Sequence, residues 1–254
     1  MTTVDLNADM GESFGPWPMG DDAAMLDIVT SANIACGFHA GDPDVMAATM
    51  AAAVARGVGI GAHPGFADLQ GFGRRRIDLP PATLANLIRY QVAAAEGMAR
   101  AAGGRLRHLK LHGALANMAS EDAEMARRCY AAALEVAPDL IVLAIAGTAQ
   151  QKAAEALGCA FAAEVFADRA YNPDLTLVDR RLPGAMIHDP DSAAARVVGM
   201  VQDGAIPCIS GERVAARVDS ICVHGDGPQA LAIARAVRDG LQAAGVTLRR
   251  FGTD

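Results

Sequence analysis

At 254 residues the chain is close to the roughly 250 over which an α/β barrel folds as one unit, so residues 1–254 are read as a single domain. With 52% hydrophobic but only 4% aromatic residues, a large core has to come from Ala, Val, Leu, Ile and Met, as where alanine-rich helices lie closely on a sheet. A net charge of −7 without a long basic run argues against nucleic acid or an anionic membrane as partner, and no apolar run approaches the ~18 residues of a membrane span.

In chain order, Val4 to Asn7 reads as a first strand running into Ala8–Glu12, residues 22–31 have helical spacing through Met25, Ile28 and Val29, and Asn33 to Cys36 is a second strand. Asp42-Pro43 offers an N-cap and a first-turn proline, so 43–56 is an alanine-rich helix, ended by Gly57. Val58 to Ala62 is a third strand delivering His63; a glycine-rich loop runs to Arg76; Pro81 to Ala102 is a long helix stopped by Gly103-Gly104. Leu106 to Leu111 is the fourth strand, and Ser120, Glu121 and Asp122 are expected to cap a helix over 121–136. Leu140 to Ala146 is the fifth strand, with a helix to Leu157, and Ala160 to Phe166 is the sixth. After an irregular span from Tyr171 to Asp189 come a helix over about 191–203, a seventh strand at Ser220 to Val223 and a closing helix over 227–244. Repeated βα units with short connections imply an α/β protein with a parallel sheet, right-handed crossovers and helices outside.

The amino terminus, MTTVDLNADM, lacks the basic and apolar regions of a signal peptide. Five widely separated cysteines without a CxxC pair (Cys36, Cys129, Cys159, Cys208 and Cys222) read as reduced thiols of a cytoplasmic protein, Cys36 and Cys222 as small core residues. The apolar helices permit a homodimer without demanding one.

Polar groups fall at the strand ends. Asp5, Asn7 and Asp9 lie two apart and so share a face of the first strand; His39 follows strand two and His63 strand three. Lys110 and His112 end strand four, Glu164 and Asp168 mark strand six, and His224 and Asp226 mark strand seven. If the sheet closes, many of these groups converge at the carboxyl ends of the strands, where barrel enzymes place their chemistry. The densest stretch, SANIACGFHAGDP (Ser31 to Pro43), displays Phe38 and His39 between Gly37 and Gly41 and Asp42 just after them. His108, within a strand, and His188, in the irregular span, read as structural, and Asp5 reads equally well as a carboxylate satisfied inside the sheet.

These motifs carry a resemblance. DLNADMGE (5–12), SANIACGFHAGDP (31–43), GAHPGFAD (61–68), GFGRR (71–75), LKLHGALANMA (109–119), EVFADRAY (164–171) and CVHGD (222–226) resemble, in order and over nearly the whole chain, the LamB/YcsF family. That resemblance implies a (β/α) barrel-like fold of about seven parallel strands, related to the glycoside hydrolase and deacetylase barrels. It also implies ATP-dependent opening of 5-oxoproline (pyroglutamate) to L-glutamate, with two partner subunits of PxpB-like and PxpC-like type. The chain departs from the family at Leu111, where proline is usual, at Ala116, where tyrosine is usual, and over 172–181.

Opening a lactam requires its oxygen polarised or phosphorylated, its carbon attacked by an activated water and its nitrogen protonated. On this reading Asp9, His39 and His63 position and activate water, directly or through a divalent metal. Lys110 and His112 stabilise the oxyanion or phosphoryl oxygens, with Asp168 and Asp226 in support. Asn7, Glu12, Asn33, Asp42, Glu164, His224 and the glycine-flanked pair Arg74 and Arg75 are expected to bind substrate. Asp9, His39 and His63 from separate strands suit zinc or a similar ion, although no HExxH is present; ATP lacks a GxxxxGK[ST] loop. A stand-alone metal-dependent hydrolase or deacetylase, and a non-catalytic subunit that delivers a ligand, are the alternatives.

Overall fold

Period-two alternation along β1 (Thr3–Met10) sets the architecture: Leu6, Ala8 and Met10 bury their side chains in the main hydrophobic core, while Asp5, Asn7 and Asp9 take the opposite face. In the computed structural model, which describes residues 2–225, 227 and 229–251, that opposite face is the inside of a closed barrel. The expected Asp226 lies outside the described residues.

The strands β2 (Ser31–Ala35), β3 (Gly59–His63), β4 (Leu106–Lys110), β5 (Ile141–Ile145) and β6 (Phe161–Phe166) follow β1 in parallel register. A short antiparallel hairpin, β7 (Ala205–Pro207) and β8 (Arg213–Ala215), precedes β9 (Ser220–Val223). β9 pairs with β6 on one side and β1 on the other, which closes seven parallel strands into the expected barrel; β10 (Thr247–Leu248) adds to the start of β1.

Around it lie α1 (Asp22–Leu26), α2 (Pro43–Arg56), α3 (Pro81–Ala101), α4 (Gly113–Glu121), α5 (Ala123–Val136), α6 (Ala149–Leu157), α7 (Pro190–Asp203) and α8 (Ala230–Ala243). Their buried faces are rich in alanine, as in α5 (Ala126, Ala132, Ala133) and α3 (Ala85, Ala95, Ala99), so backbones approach the sheet without large side chains between. The caps agree with local chemistry: the Asp42 side chain accepts from the Asp44 and Val45 amides, and Gly57 ends α2 in the left-handed region. Two expectations are corrected. The residues after His112 form α4, and the cap of the next helix is Asp122 alone, accepting from Glu124 and Met125; Ser120 sits inside α4 and donates to the Ala116 carbonyl. The first helix stops at Leu26, and β2 begins at Ser31.

Barrels of this kind usually fill their interior with branched apolar side chains. Here much of the interior is polar and is satisfied internally. Asp5 accepts from Thr30, Ser31 and Ser220; Asn7 donates to Glu164 and Ser220; Asn33 donates to Asn7 and Asp9 and meets His108 through its carbonyl oxygen at 2.8 Å. Space for His108 comes from Gly61 on β3, where a Cβ would lie 2.0 Å from the His108 Nε2. This network holds the strand ends in one register, and so fixes the side chains at the barrel mouth.

Candidate active site

Four consecutive strand exits supply the centre of the site. β1 runs into Gly11, whose φ of +64° turns the chain and sets Glu12; the loop after β2 brings His39; β3 ends in His63; β4 ends in Lys110, two residues before His112. Glu12, His39, His63 and His112 are all buried, and one ligand atom from each lies within 4.8 Å of all the others. Glycine again makes the room: a Cβ on Gly73 would lie 2.7 Å from the His39 Cβ and 2.8 Å from the His112 Cδ2. Beside it, Phe72 holds φ at +53°, a conformation that costs a non-glycine residue ~1–2 kcal/mol, and its carbonyl faces the His112 Nε2 at 2.8 Å.

Backbone partners fix the tautomers. His63 Nδ1 faces the Lys110 carbonyl at 2.8 Å and His112 Nε2 faces that of Phe72, so both of these nitrogens carry hydrogen. In neutral rings the other two nitrogens, His63 Nε2 and His112 Nδ1, would then turn lone pairs on each other across 3.0 Å. Glu12 Oε1 lies 3.4 Å from His112 Nδ1 and 3.4 Å from His39 Nε2, and Asp9 Oδ2 lies 3.4 Å from His63 Nε2. Electron-rich atoms from every side call for a cation at their centre, either a proton on His63 Nε2 donated to His112 or a metal ion. The donor set fits a metal. Ligands at ~2.1 Å in a tetrahedral arrangement sit about 3.4 Å apart, and neither ring nitrogen of His39 has a hydrogen-bond partner among the described residues. Burial, with the charges of neighbouring histidines, holds His39 and His112 well below the usual imidazole range, so their lone pairs are available.

Next to the histidines lies a buried ammonium. Lys110 Nζ donates to Asp9 Oδ1 at 2.8 Å, lies 3.3 Å from Glu164 and 2.7 Å from the Cys222 sulfur, and stands over the Phe166 ring. Burial opposes its charge, but Asp9 and Glu164 outweigh this and hold it well above the ordinary lysine range. For Asp9, burial is likewise outweighed by His63 and Lys110, which keep the carboxylate ionised. Burial raises Glu164 and keeps the Cys222 thiol protonated. Asp9, Cys222 and His224 also come together, but Lys110 already supplies the positive charge there.

A cavity of about 720 Å³ opens above these groups, lined by Asp9, Glu12, His63, Lys110, His112 and His224 and by arginines 74, 76, 169, 180 and 181. His224 and Arg180 stand on its wall: Asp168, behind them, accepts from His224 Nδ1 at 2.8 Å, and the Nε2 of that ring accepts from Arg180 at 3.1 Å. Burial of Asp168 is outweighed by His224, which holds it below the usual carboxylate range. His39 lies just behind the wall, stacked on His112 with ring centroids 3.6 Å apart. Asn7, Asn33 and Glu164 sit deeper, within the barrel network.

Two expected binding residues have other work. Asp42 spends its carboxylate on the α2 cap and the Gly15 amide, and Arg75 is forked onto Asp68 at the surface, so neither lines the cavity as described. Glu12 joins the histidines beside the expected Asp9, which itself lies 3.4 Å from His63. Arg169 and Arg180 were not anticipated: they flank an irregular loop in which period and spacing carry no signal, though Arg169 falls inside EVFADRAY. Leu111 and Ala116, the departures from the family pattern, both line the cavity, so the small alanine enlarges it.

A closed parallel βα barrel carrying buried titratable side chains and a cavity at the carboxyl ends of its strands defines a barrel of the enzyme type. Likeness in fold extends to the catalytic domain of a peptidoglycan N-acetylglucosamine deacetylase from Eubacterium rectale, at TM-score 0.53 and 12% identity over 99% of this chain and 89% of that one. Far nearer is the crystal structure of the lactam utilization protein from Thermus thermophilus, at TM-score 0.92 and 42% identity over 98% of this chain and all of that one. Among curated proteins, the 5-oxoprolinase A subunit of Ruegeria pomeroyi is 64% identical over 99% of both chains. The chain belongs to the LamB/YcsF family, whose model matches residues 4–253.

Proposed function

We propose that the chain is the A subunit of a 5-oxoprolinase and that its cavity is where the lactam of 5-oxoproline is opened to L-glutamate, with ATP converted to ADP and phosphate in an assembly with two partner subunits. The observation that carries the substrate is the 64% identity, end to end, with a protein named for that activity. The cavity supports the chemistry with a buried base cluster, an ammonium and arginines around one space.

A lactam carbonyl is a poor electrophile. Lys110, fixed by Asp9 and Glu164, presents a positive charge that stabilises oxygen as the carbonyl becomes tetrahedral. His39, neutral and with both ring nitrogens open, takes the proton of the attacking water. His63, held in one tautomer by the Lys110 carbonyl and next to Asp9, returns a proton to the leaving nitrogen. Alternatively, Glu12, His39, His63 and His112 would hold a divalent ion, with His39 and His63 then serving as ligands in place of base and acid. When bound, such an ion supplies Lewis acidity and a more acidic water.

The test is glutamate and phosphate release from 5-oxoproline by this chain with its co-expressed neighbours, with and without ATP. Glutamate released only with ATP and partners supports the reading, and glutamate formed without ATP consumption rejects it. The four-residue cluster favours a second reading, a metal-dependent amide hydrolase acting alone; that reading requires turnover by the isolated chain without ATP and its loss on adding chelator.

A further inference from the structure

Arg169 lies three residues past the end of β6 and is 3% exposed, yet it forms part of the cavity wall. Its Nη2 donates to the Val178 carbonyl at 2.6 Å, which orients the guanidinium, while its Nε has no hydrogen-bond partner among the described residues. A buried guanidinium with an unanswered donor is costly unless something completes it. Arg74 and Arg180 line the same cavity, and Arg180 is steadied by the His224 ring, itself held by Asp168. Burial, together with the charge of Arg180, pushes Arg169 down to about 10, so it still carries its charge at neutral pH. Guanidinium groups present planar forks that match carboxylate and phosphoryl oxygens. The lactam reading supplies one of each: the carboxylate of 5-oxoproline and the phosphates of ATP.

We propose that Arg169 is the anion-binding residue of this cavity, completing its open donor with a carboxylate or phosphoryl oxygen of the reactants, beside Arg180. This rests on the lactam reading. It separates recognition of the anion, on the loop after β6, from the chemistry at the histidines after β2, β3 and β4. A merely structural Arg169, pinning Val178, would affect folding and leave the binding of either reactant unchanged.

The experiment is steady-state kinetics of the assembled enzyme with Arg169→Gln and Arg169→Lys, varying 5-oxoproline and ATP separately and following melting of each variant. Loss of one charge-assisted hydrogen-bonded contact corresponds to about 10–100-fold in affinity. A rise of that size in KM for 5-oxoproline by Arg169→Gln, with kcat within about threefold and a smaller rise for Arg169→Lys, assigns the carboxylate. The same rise in KM for ATP alone assigns a phosphoryl group. Both KM values unchanged, whether or not kcat or melting falls, overturns the proposal and leaves the lactam reading standing. A wild-type assembly that releases no glutamate from 5-oxoproline overturns the lactam reading itself, and with it the proposal that rests on it.

Discussion

Replacing Lys110 by methionine keeps the length of the side chain and removes its charge. The ammonium is 4% exposed and lies 2.8 Å from Asp9 and 3.3 Å from Glu164, so Lys110→Met leaves two buried carboxylates facing each other across an apolar side chain. Removing one partner of a buried ion pair costs about 3–5 kcal/mol. For a chain of this size each kcal/mol lowers the melting temperature by ~2–4 °C, so the variant should melt about 6–20 °C below wild type at neutral pH. Neutralising one stranded carboxylate should recover part of the loss. In Lys110→Met/Glu164→Gln the measured stability should exceed the sum of the single effects by about 1 kcal/mol or more. Calorimetric or circular-dichroism melts of the two single variants and the double variant decide it. A Lys110→Met protein melting within about 2 °C of wild type, or a strictly additive double variant, would refute the view that the ammonium balances both acids.

Gly61→Ala places a methyl carbon 2.0 Å from the His108 Nε2 and should cost about 1–3 kcal/mol by overpacking, read as a lower denaturation midpoint; an unchanged midpoint would mean the ring moves freely. Burial pushes the Asp5 carboxyl up to about 6, against the hydroxyls of Ser31, Ser220 and Thr30. The folded state therefore binds that proton more tightly than the unfolded state, and this contribution grows as pH falls from 7 through 6 towards 4. Relative to Asp5→Asn, wild type should gain up to ~3 kcal/mol over that range, whereas a constant difference between their stabilities would contradict the raised carboxyl. Protein purified without chelator should carry about one divalent ion per chain by elemental analysis, lost in Glu12→Gln, as expected for a single four-ligand site; equal metal content in the two proteins would remove Glu12 as a ligand.

Much of this was legible in the sequence because strand and helix impose different periods on the same chain. Asp5, Asn7 and Asp9, two apart, announced a polar face, and the strand-end positions of His39, His63, Lys110 and His112 announced a common mouth. Once β9 pairs with β1, His63, Lys110 and His112 line one cavity and His39 stacks behind His112. What escaped depended on backbone turns and cross-barrel distance. Glu12 reaches the histidines through the turn at Gly11, φ +64°, and Asp9 is shared between Lys110 and His63. The helix α4 was missed because His112 offers it no side-chain cap and its residues read as site motif. Asp42 and Arg75 looked like ligands by composition, yet a helix terminus and Asp68 claim them first.

With His39 as the proposed base in a buried cluster, the rate of glutamate formation by the assembled enzyme carrying His39→Asn is the most direct test. A fall of about 10²–10⁴-fold, with melting close to wild type, is the expected result. Turnover within a few-fold of wild type from a folded His39→Asn enzyme would contradict it.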